Sequence, residues 1–517
     1  MYIKYFFKLF LAVSLCSFIS ISARAQTKVY NITGYGAVAD GKTNNTNVIQ
    51  KAIDDASAGG GGRVEVPAGR FVTGVITLRS NVELHLDENA FLLGSTLRAD
   101  YGQGKASPLI VSNHQHHIAI TGKGTIDGQG QELLKDIYVR LNAGTLQDTE
   151  WRTLNPWHQM RPTEDNRPKL IEFDNCDSIS IKNITIKNGL CWVQDYKSCS
   201  NLVIDSMKVE SVTYWNNDGI DIVDCKNVKL TNSFINAADD GICLKSEDPN
   251  GACENVYVAN CRVRSSASAI KLGTASHGGF KKISIRDISV YDTYRSAIAL
   301  ETVDGGVLED IDIRGITATN TGNALVIRLG HRNKKAPAGI LRRVYIGDVK
   351  VDVPVGKPDA GYPMEGPVVS IPHNVFPSSV TGIPGSRVED VTLKNITINY
   401  EGGAKKEQAF FSTDSLENVP EKIPDYPEFS MFGELPAWGF YIRHADGIKI
   451  KNMVLTCKGT DYRPAFIADD VNGLSLDEVN IPQVKTQPVI LLNRVGKLKL
   501  EDIKIPGSKK QNIIKRD

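Results

Sequence analysis

One pattern of apolar and polar positions recurs along the chain. A buried-type residue is followed by two mostly polar residues, then by two apolar residues separated by one position. It reads Cys176-Asp-Ser-Ile179-Ser-Ile181, then Cys199-Ser-Asn-Leu202-Val-Ile204. It returns at Cys225, Cys253, Phe280 and Leu308, with further copies from Leu341, Val388, Ala445, Val471 and Val495 and earlier ones from Arg79 and Gln115. From Cys176 to Leu308 the period is 23 to 28 residues. Each unit holds about three short strands; Ser178 to Gly189 shows two of them, with strict alternation broken at Asn183.

Strands this short do not make a stable flat sheet singly. Stacked coil on coil, they bury a continuous core and leave sheet edges only at the two ends. The pattern therefore predicts an all-β parallel β-helix. A propeller blade needs about 40 residues and four strands, and fits the period worse. The same register predicts that Cys176, Cys199, Cys225 and Cys253 stack inside the coil. Export permits disulfides, but the shared position favours a ladder of buried free thiols. No paired ligand motif suggests a metal among them. Before the first units, residues 43–57 carry Val48, Ile49, Ala52, Ile53 and Ala56 at helical spacing, which predicts a short N-terminal capping helix over the open end of the solenoid. Gly59 to Gly62 reads as its stop and turn, because no Gly-Lys-Ser/Thr follows to make a phosphate loop.

Three segments interrupt the repeat, near 128–167, 355–387 and 401–438. Long loops on a rigid scaffold are commonly binding loops, a reading favoured here over surface decoration. Trp151, Trp157 and Trp192 offer either flat faces for sugar rings or local packing.

Composition narrows the function. Basic residues number 60 against 59 acidic ones, with no long block of one sign, so a nucleic-acid footprint is not expected. Lys4 and Lys8, an apolar run from Leu9 to Ile21 and Ala23-Arg24-Ala25 predict a leader over residues 1–25, cut after Ala25. The run is short for a membrane span, and no later stretch is long enough for one. The expected mature unit, residues 26–517, is then a single catalytic domain acting in the periplasm or outside the cell.

The candidate chemistry emerges when units are aligned on their third strand. Asp218-Gly-Ile220-Asp-Ile222 sits above Asp240-Gly-Ile242-Cys-Leu244, then Ser268-Ala-Ile270-Lys-Leu272 and Ser296-Ala-Ile298-Ala-Leu300. Neighbouring parallel strands lie ~4.8 Å apart, so Asp218 and Asp240 are forced together, with Asp239 beside them. At ~4 Å two like charges repel by roughly 1 kcal/mol in water and about 4 kcal/mol at an intermediate dielectric. Such a cost implies function or a bound cation. Crowding raises at least one carboxyl pKa and yields a protonated acid beside an ionised base, the pair that glycoside hydrolysis requires.

These residues resemble a known family. Asn216-Asn217-Asp218-Gly219-Ile220-Asp221 and Asp239-Asp240-Gly241-Ile242 are similar to the Asn-x-Asp and Asp-Asp motifs of glycoside hydrolase family 28, the polygalacturonases and rhamnogalacturonan hydrolases. The openings Tyr30 to Thr46, Gly59 to Gly69 and Gly122 to Gly130 are similar too, and the resemblance runs from about Val29 to the C-terminus. It implies a single-stranded, right-handed, pectin-lyase-like solenoid that inverts configuration at α-galacturonosyl bonds of a pectic polysaccharide. By analogy Asp239 is the general acid, Asp218 and Asp240 activate water, and Asn216 positions substrate or the acids. No metal or cofactor is implied, and a monomer is expected. Two departures matter. The family's Gly-His-Gly falls at Ala267-Ser268-Ala269, and its Arg-Ile-Lys at Ala299-Leu300-Glu301. The cations expected beyond the cleaved bond are missing, and Glu301 brings the opposite charge. A neutral sugar next to galacturonate, such as rhamnose, would escape that repulsion.

Lys245, Lys271, Glu301, Arg328 and Trp192 join Asn216 as candidate substrate-contacting residues. Arg443 and His444 are either surface charges or ligands. His277 and the trio His114, His116 and His117 read as solvated turns. Two alternatives stay open: a uronate polysaccharide lyase on the same architecture, with calcium held by the acidic trio, and a non-catalytic carbohydrate-binding β-helix.

Overall fold

The computed structural model describes residues 28–152, 161–366, 373, 376–402, 411–483 and 486–517. The expected leader, residues 1–25, and Trp157 lie outside the described residues. Within them the chain is a coil of parallel strands, each pairing with the strand one turn away. The repeat read from the sequence is the register of that coil. Cys253 pairs with Phe280, Phe280 with Leu308, Leu308 with Leu341, Leu341 with Val388, Val388 with Ala445, Ala445 with Val471, and Val471 with Val495. In the earlier coils Asp177 pairs with Ser200, Ser200 with Lys226 and Lys226 with Glu254, which stacks the four cysteines that precede them.

All eight cysteines among the described residues are buried and free. The Cys199 backbone N–H donates to Cys225 Sγ at 3.3 Å. The ladder therefore works as a row of small apolar side chains with weak polar contacts.

The polar pair after each stacked residue has a backbone purpose. Its second member takes a left-handed conformation on coil after coil: Asn201 at φ 54°, Asn227 at 57°, Asn255 at 56°, Asp310 at 58° and Asp390 at 52°. Asn and Asp tolerate this region best among residues with a side chain. Their amides also ladder, Asn255 Nδ2 to Asn227 Oδ1 at 2.8 Å and Asn227 Nδ2 to Asn201 Oδ1 at 3.2 Å.

A helix spans Thr46–Ala58, one residue beyond the expected end and three inside the expected start. Ile49, Ala52, Ile53 and Ala56 are its buried face, packed against the first strands. Its apolar spacing at three and four residues produces that single face.

The three interruptions are more structured than loops. The first holds a helix, Gly130–Asn142, with Leu133, Ile137 and Leu141 buried. The second ends early: Ser378–Thr381 is a coil strand between Val326–Arg328 and Phe440–Arg443. In the third, Leu416, Val419, Phe432, Leu435 and Ala437 form a satellite core against Tyr441, Ile467 and Leu491. Burying side chains of this size contributes about 1.5–3 kcal/mol each before ordering costs, enough to hold the segment against the coil.

Candidate active site

The strands Gln194–Lys197, Ile220–Val223, Ile242–Ser246 and Ile270–Ser276 lie side by side. Alternation sends Ile220, Ile222, Ile242, Leu244, Ile270 and Leu272 into the core. Residues between them face outward, and the turns just before the strands carry the acids. Ile220 pairs with Ile242, so Asp218 and Asp240 fall on successive coils. A carboxylate oxygen from each lies within 4.8 Å of the other, and of Cys243 Sγ.

These groups open into a cavity of about 770 Å³ lined by Trp192, Asn216, Asp218, Asp239, Asp240, Lys245 and Lys271. Seven of the nine residues singled out from the sequence thus converge. Arg161, Glu164, Thr274, Tyr294, Arg295, Tyr426 and Glu428 complete the wall.

The two stacked acids are each held by an ammonium from the next coil. Lys245 Nζ donates to Asp218 Oδ2 at 2.8 Å and also to Asp221. Lys271 Nζ donates to Asp240 Oδ2 at 2.8 Å and to Tyr426 Oη at 2.9 Å. The Ser268 backbone N–H adds a bond to Asp240 Oδ1 at 3.1 Å. Burial works against both lysine charges, but the carboxylates around them raise both pKa values well above the ordinary range.

Asp239 and Asp240 are pushed apart. Burial would raise Asp240, yet Lys271, Arg295 and Lys245 outweigh it and hold its carboxyl below the ordinary value. Asp239 has no ammonium of its own. Burial, then the charges of Asp218 and Asp240, push it up to about 7. It remains partly open to the cavity, whereas Asp218 and Asp240 are buried. A carboxyl that keeps its proton up to about 7 and a neighbour held ionised therefore share one wall.

Asn216 sits at the mouth in a left-handed turn, φ 55°. Its side-chain oxygen accepts from Arg161 Nη1 at 3.0 Å and Arg167 Nη2 at 2.9 Å. That fixes the amide orientation and leaves its NH₂ without a hydrogen bond among the described residues. Trp192 is half-buried, with Lys245 Nζ 3.7 Å from its ring centre.

Glu301 and Arg328, expected to contact substrate, stand elsewhere. Glu301 is buried, accepts from Thr274 Oγ1 at 3.3 Å and is absent from the cavity wall. Its carboxyl stands behind Thr274 rather than on the cavity wall itself. Arg328 is buried too. It donates to the carbonyls of Gly382, Glu421 and Lys422 at 3.0, 2.7 and 2.9 Å, clamping the third inserted segment. Arg443 and His444 serve the same segment, pairing with Glu421 at 2.8 and 3.1 Å. His277 lies off the cavity wall, and His116 and His117 are exposed. Trp151 packs against the core.

Arg295 went unread, although the repeat marks it. It precedes Ser296 as Asp239 precedes Asp240, two coils further on. Tyr426 and Glu428 carry no local signal, because they arrive from the third inserted segment.

The model of the glycosyl hydrolases family 28 matches residues 57–353. A probable polygalacturonase of Vitis vinifera is 26% identical over 424 residues, covering 75% of this chain and 77% of that protein. An exo-poly-alpha-D-galacturonosidase of Dickeya chrysanthemi is 26% identical over 384 residues, 64% of this chain and 63% of that one. Among solved structures, an exopolygalacturonase from Thermotoga maritima superposes with a TM-score of 0.59 at 21% identity, covering 83% of this chain and 91% of that one. That likeness concerns the fold.

Proposed function

The chain belongs to the glycosyl hydrolases family 28, and from that premise we propose that it hydrolyses α-galacturonosyl linkages of pectic polysaccharide with inversion of configuration. The observation that carries the reading is the opposite displacement of two adjacent aspartates, Asp239 and Asp240, with Asp218 beside them. Asp239, pushed up to about 7, holds a proton where an ionised carboxylate would normally stand. Asp218 and Asp240 are kept on one wall by Lys245 and Lys271.

Asp239 is the general acid: its O–H protonates the glycosidic oxygen as the bond to the anomeric carbon breaks. Asp218 and Asp240 take a proton from the water that attacks the opposite face. The ammoniums of Lys245 and Lys271 already pair with Asp218 and Asp240, which favours a hydrolase over a calcium-assisted lyase. Asn216, Trp192, Lys245 and Lys271 contact the substrate. On the same reading the solenoid is right-handed, with the helix Thr46–Ala58 over its first coil. Residues 1–25 are a cleaved leader, and 26–517 act outside the cytoplasm as a monomer without a cofactor.

Proton NMR of the first sugars released from galacturonate oligomers tests the reading. Inverted anomers are expected. Retained anomers overturn the mechanism, and an unsaturated uronate, seen by its ultraviolet absorbance, overturns the reaction class.

A further inference from the structure

Arg295 is a cation of the cavity wall whose hydrogen-bond donors are unspent among the described residues. It lines the wall beside Asp239 and Asp240, and its side chain is 13% exposed. Among the described residues its guanidinium makes no hydrogen bond, and Nε is buried without a partner. Among the described residues its salt-bridge partner is Glu428, with Oε2 3.5 Å from Nε, beyond ordinary hydrogen-bond length. An arginine carries five donors in a rigid fork suited to a carboxylate, so leaving them all unused in a buried wall is costly. Two other buried arginines, Arg167 and Arg328, spend most of theirs. Arg167 makes bonds to five residues and Arg328 to three.

The lysines of the wall each have one N–H to spare, so neither can grip a carboxylate with two bonds while holding its aspartate. Lys245 and Lys271 are each committed to a carboxylate at 2.8 Å. Arg161 already holds Asn216 at 3.0 Å. Ala299, where the family resemblance places an arginine, is buried and uncharged, and Lys271 pairs with it across the strands.

We propose that Arg295 is the specificity-determining receptor for a uronate carboxylate next to the cleaved bond, and that Glu428 holds its place until substrate arrives. The inference rests on the hydrolase reading above. The guanidinium enters from the register position of Asp239 two coils on, so the charge missing at Ala299 and Glu301 is restored from a different direction. Glu428, on the inserted segment beside Tyr426, presents a carboxylate to the fork at a loose distance. A sugar carboxylate in bidentate geometry displaces it and gains the shorter, charge-assisted bonds that Glu428 does not make.

The test compares galacturonate oligomers with their methyl-esterified counterparts, which keep the shape and lose the charge. The readout is the ratio of kcat/KM on acid to that on ester, for the native enzyme and for Arg295→Gln, Arg295→Lys and Glu428→Gln, each checked for fold by circular dichroism. Arg295→Gln is expected to lower the ratio by about ten- to a hundredfold, and Arg295→Lys to restore part of it. Glu428→Gln is expected to lower KM for the acid more than for the ester, because the fork loses its resident competitor. An unchanged ratio in Arg295→Gln overturns the proposal, as does a Glu428→Gln enzyme whose KM rises equally for both. If the native enzyme cleaves neither oligomer, the hydrolase reading fails instead, and the two failures are distinct.

Discussion

Lys271 stands on the coil after Asp240, its Nζ 2.8 Å from Asp240 Oδ2, with both side chains buried. This pair is the hinge of the site's electrostatics. It lets Asp240 stay ionised in a buried wall, and the ionised Asp240 in turn helps to push Asp239 up to about 7. The order of these two adjacent acids is set by which of them meets the ammonium.

The first prediction concerns Asp239. Replacing it by Asn removes the donor and is expected to lower kcat at least about a hundredfold while leaving the fold intact. In the native enzyme the acid must be protonated, so kcat/KM should fall as pH rises through about 7. A pH–rate profile in which activity holds well into the alkaline range, or an Asp239→Asn enzyme of near-native turnover, would remove Asp239 from its role.

Lys271→Met is expected to shift the other limb. Without the ammonium, burial dominates and the Asp240 pKa rises. The ascending limb of the pH–rate profile should then move to higher pH, and kcat at neutral pH should drop by at least about tenfold. Lysine restored at this position by chemical aminoethylation of Lys271→Cys should return the limb toward its native place.

Glu301 is a stability test. Burial pushes its carboxyl up to about 7, from an ordinary value near 4.5. The folded protein thus binds this proton more tightly than the unfolded chain does. Its contribution is present at low pH and is lost as pH rises between those two values. Glu301→Gln keeps the shape and cannot ionise. It should therefore be more stable than the native protein at pH ~8 by about 1–3 kcal/mol, with the gain vanishing near pH ~4. Urea unfolding at the two pH values measures it; a gain equal at both would refute the burial argument.

Arg328→Ala leaves one buried and two part-buried carbonyls without their donor. The expected cost is about 3 kcal/mol or more, concentrated in the segment that Arg328 clamps. Limited proteolysis should cut residues 411–438 well before the coil. Cleavage no faster than in the native protein would show that the satellite core alone holds the segment.

The coil and the stacked acids were legible because parallel stacking preserves position. A residue's neighbour one coil away occupies the same place in the repeat, so Cys199 above Cys176, and Asp240 beside Asp218, follow from alignment alone. Arg295 was readable by the same rule at the place of Asp239. The side of the sheet was legible too, since parity sends Ile242 and Leu244 inward and Lys245 outward.

What covers an outward residue was not legible. Glu301 and Arg328 face away from the core by parity, as Lys245 does, yet both are buried. Arg328 lies under a segment about 90 residues later in the chain, and Tyr426 reaches Lys271 across a separation of 155 residues. The sequence by itself determined the fold, the register and the three aspartates, because those follow from short-range periodicity repeated down a coil. Only the tertiary structure decided which charges meet the cavity and which acid keeps its proton. Burial and Coulomb energies depend on what packs over each group, and that covering is supplied by distant segments with no periodic tie to the residues beneath them.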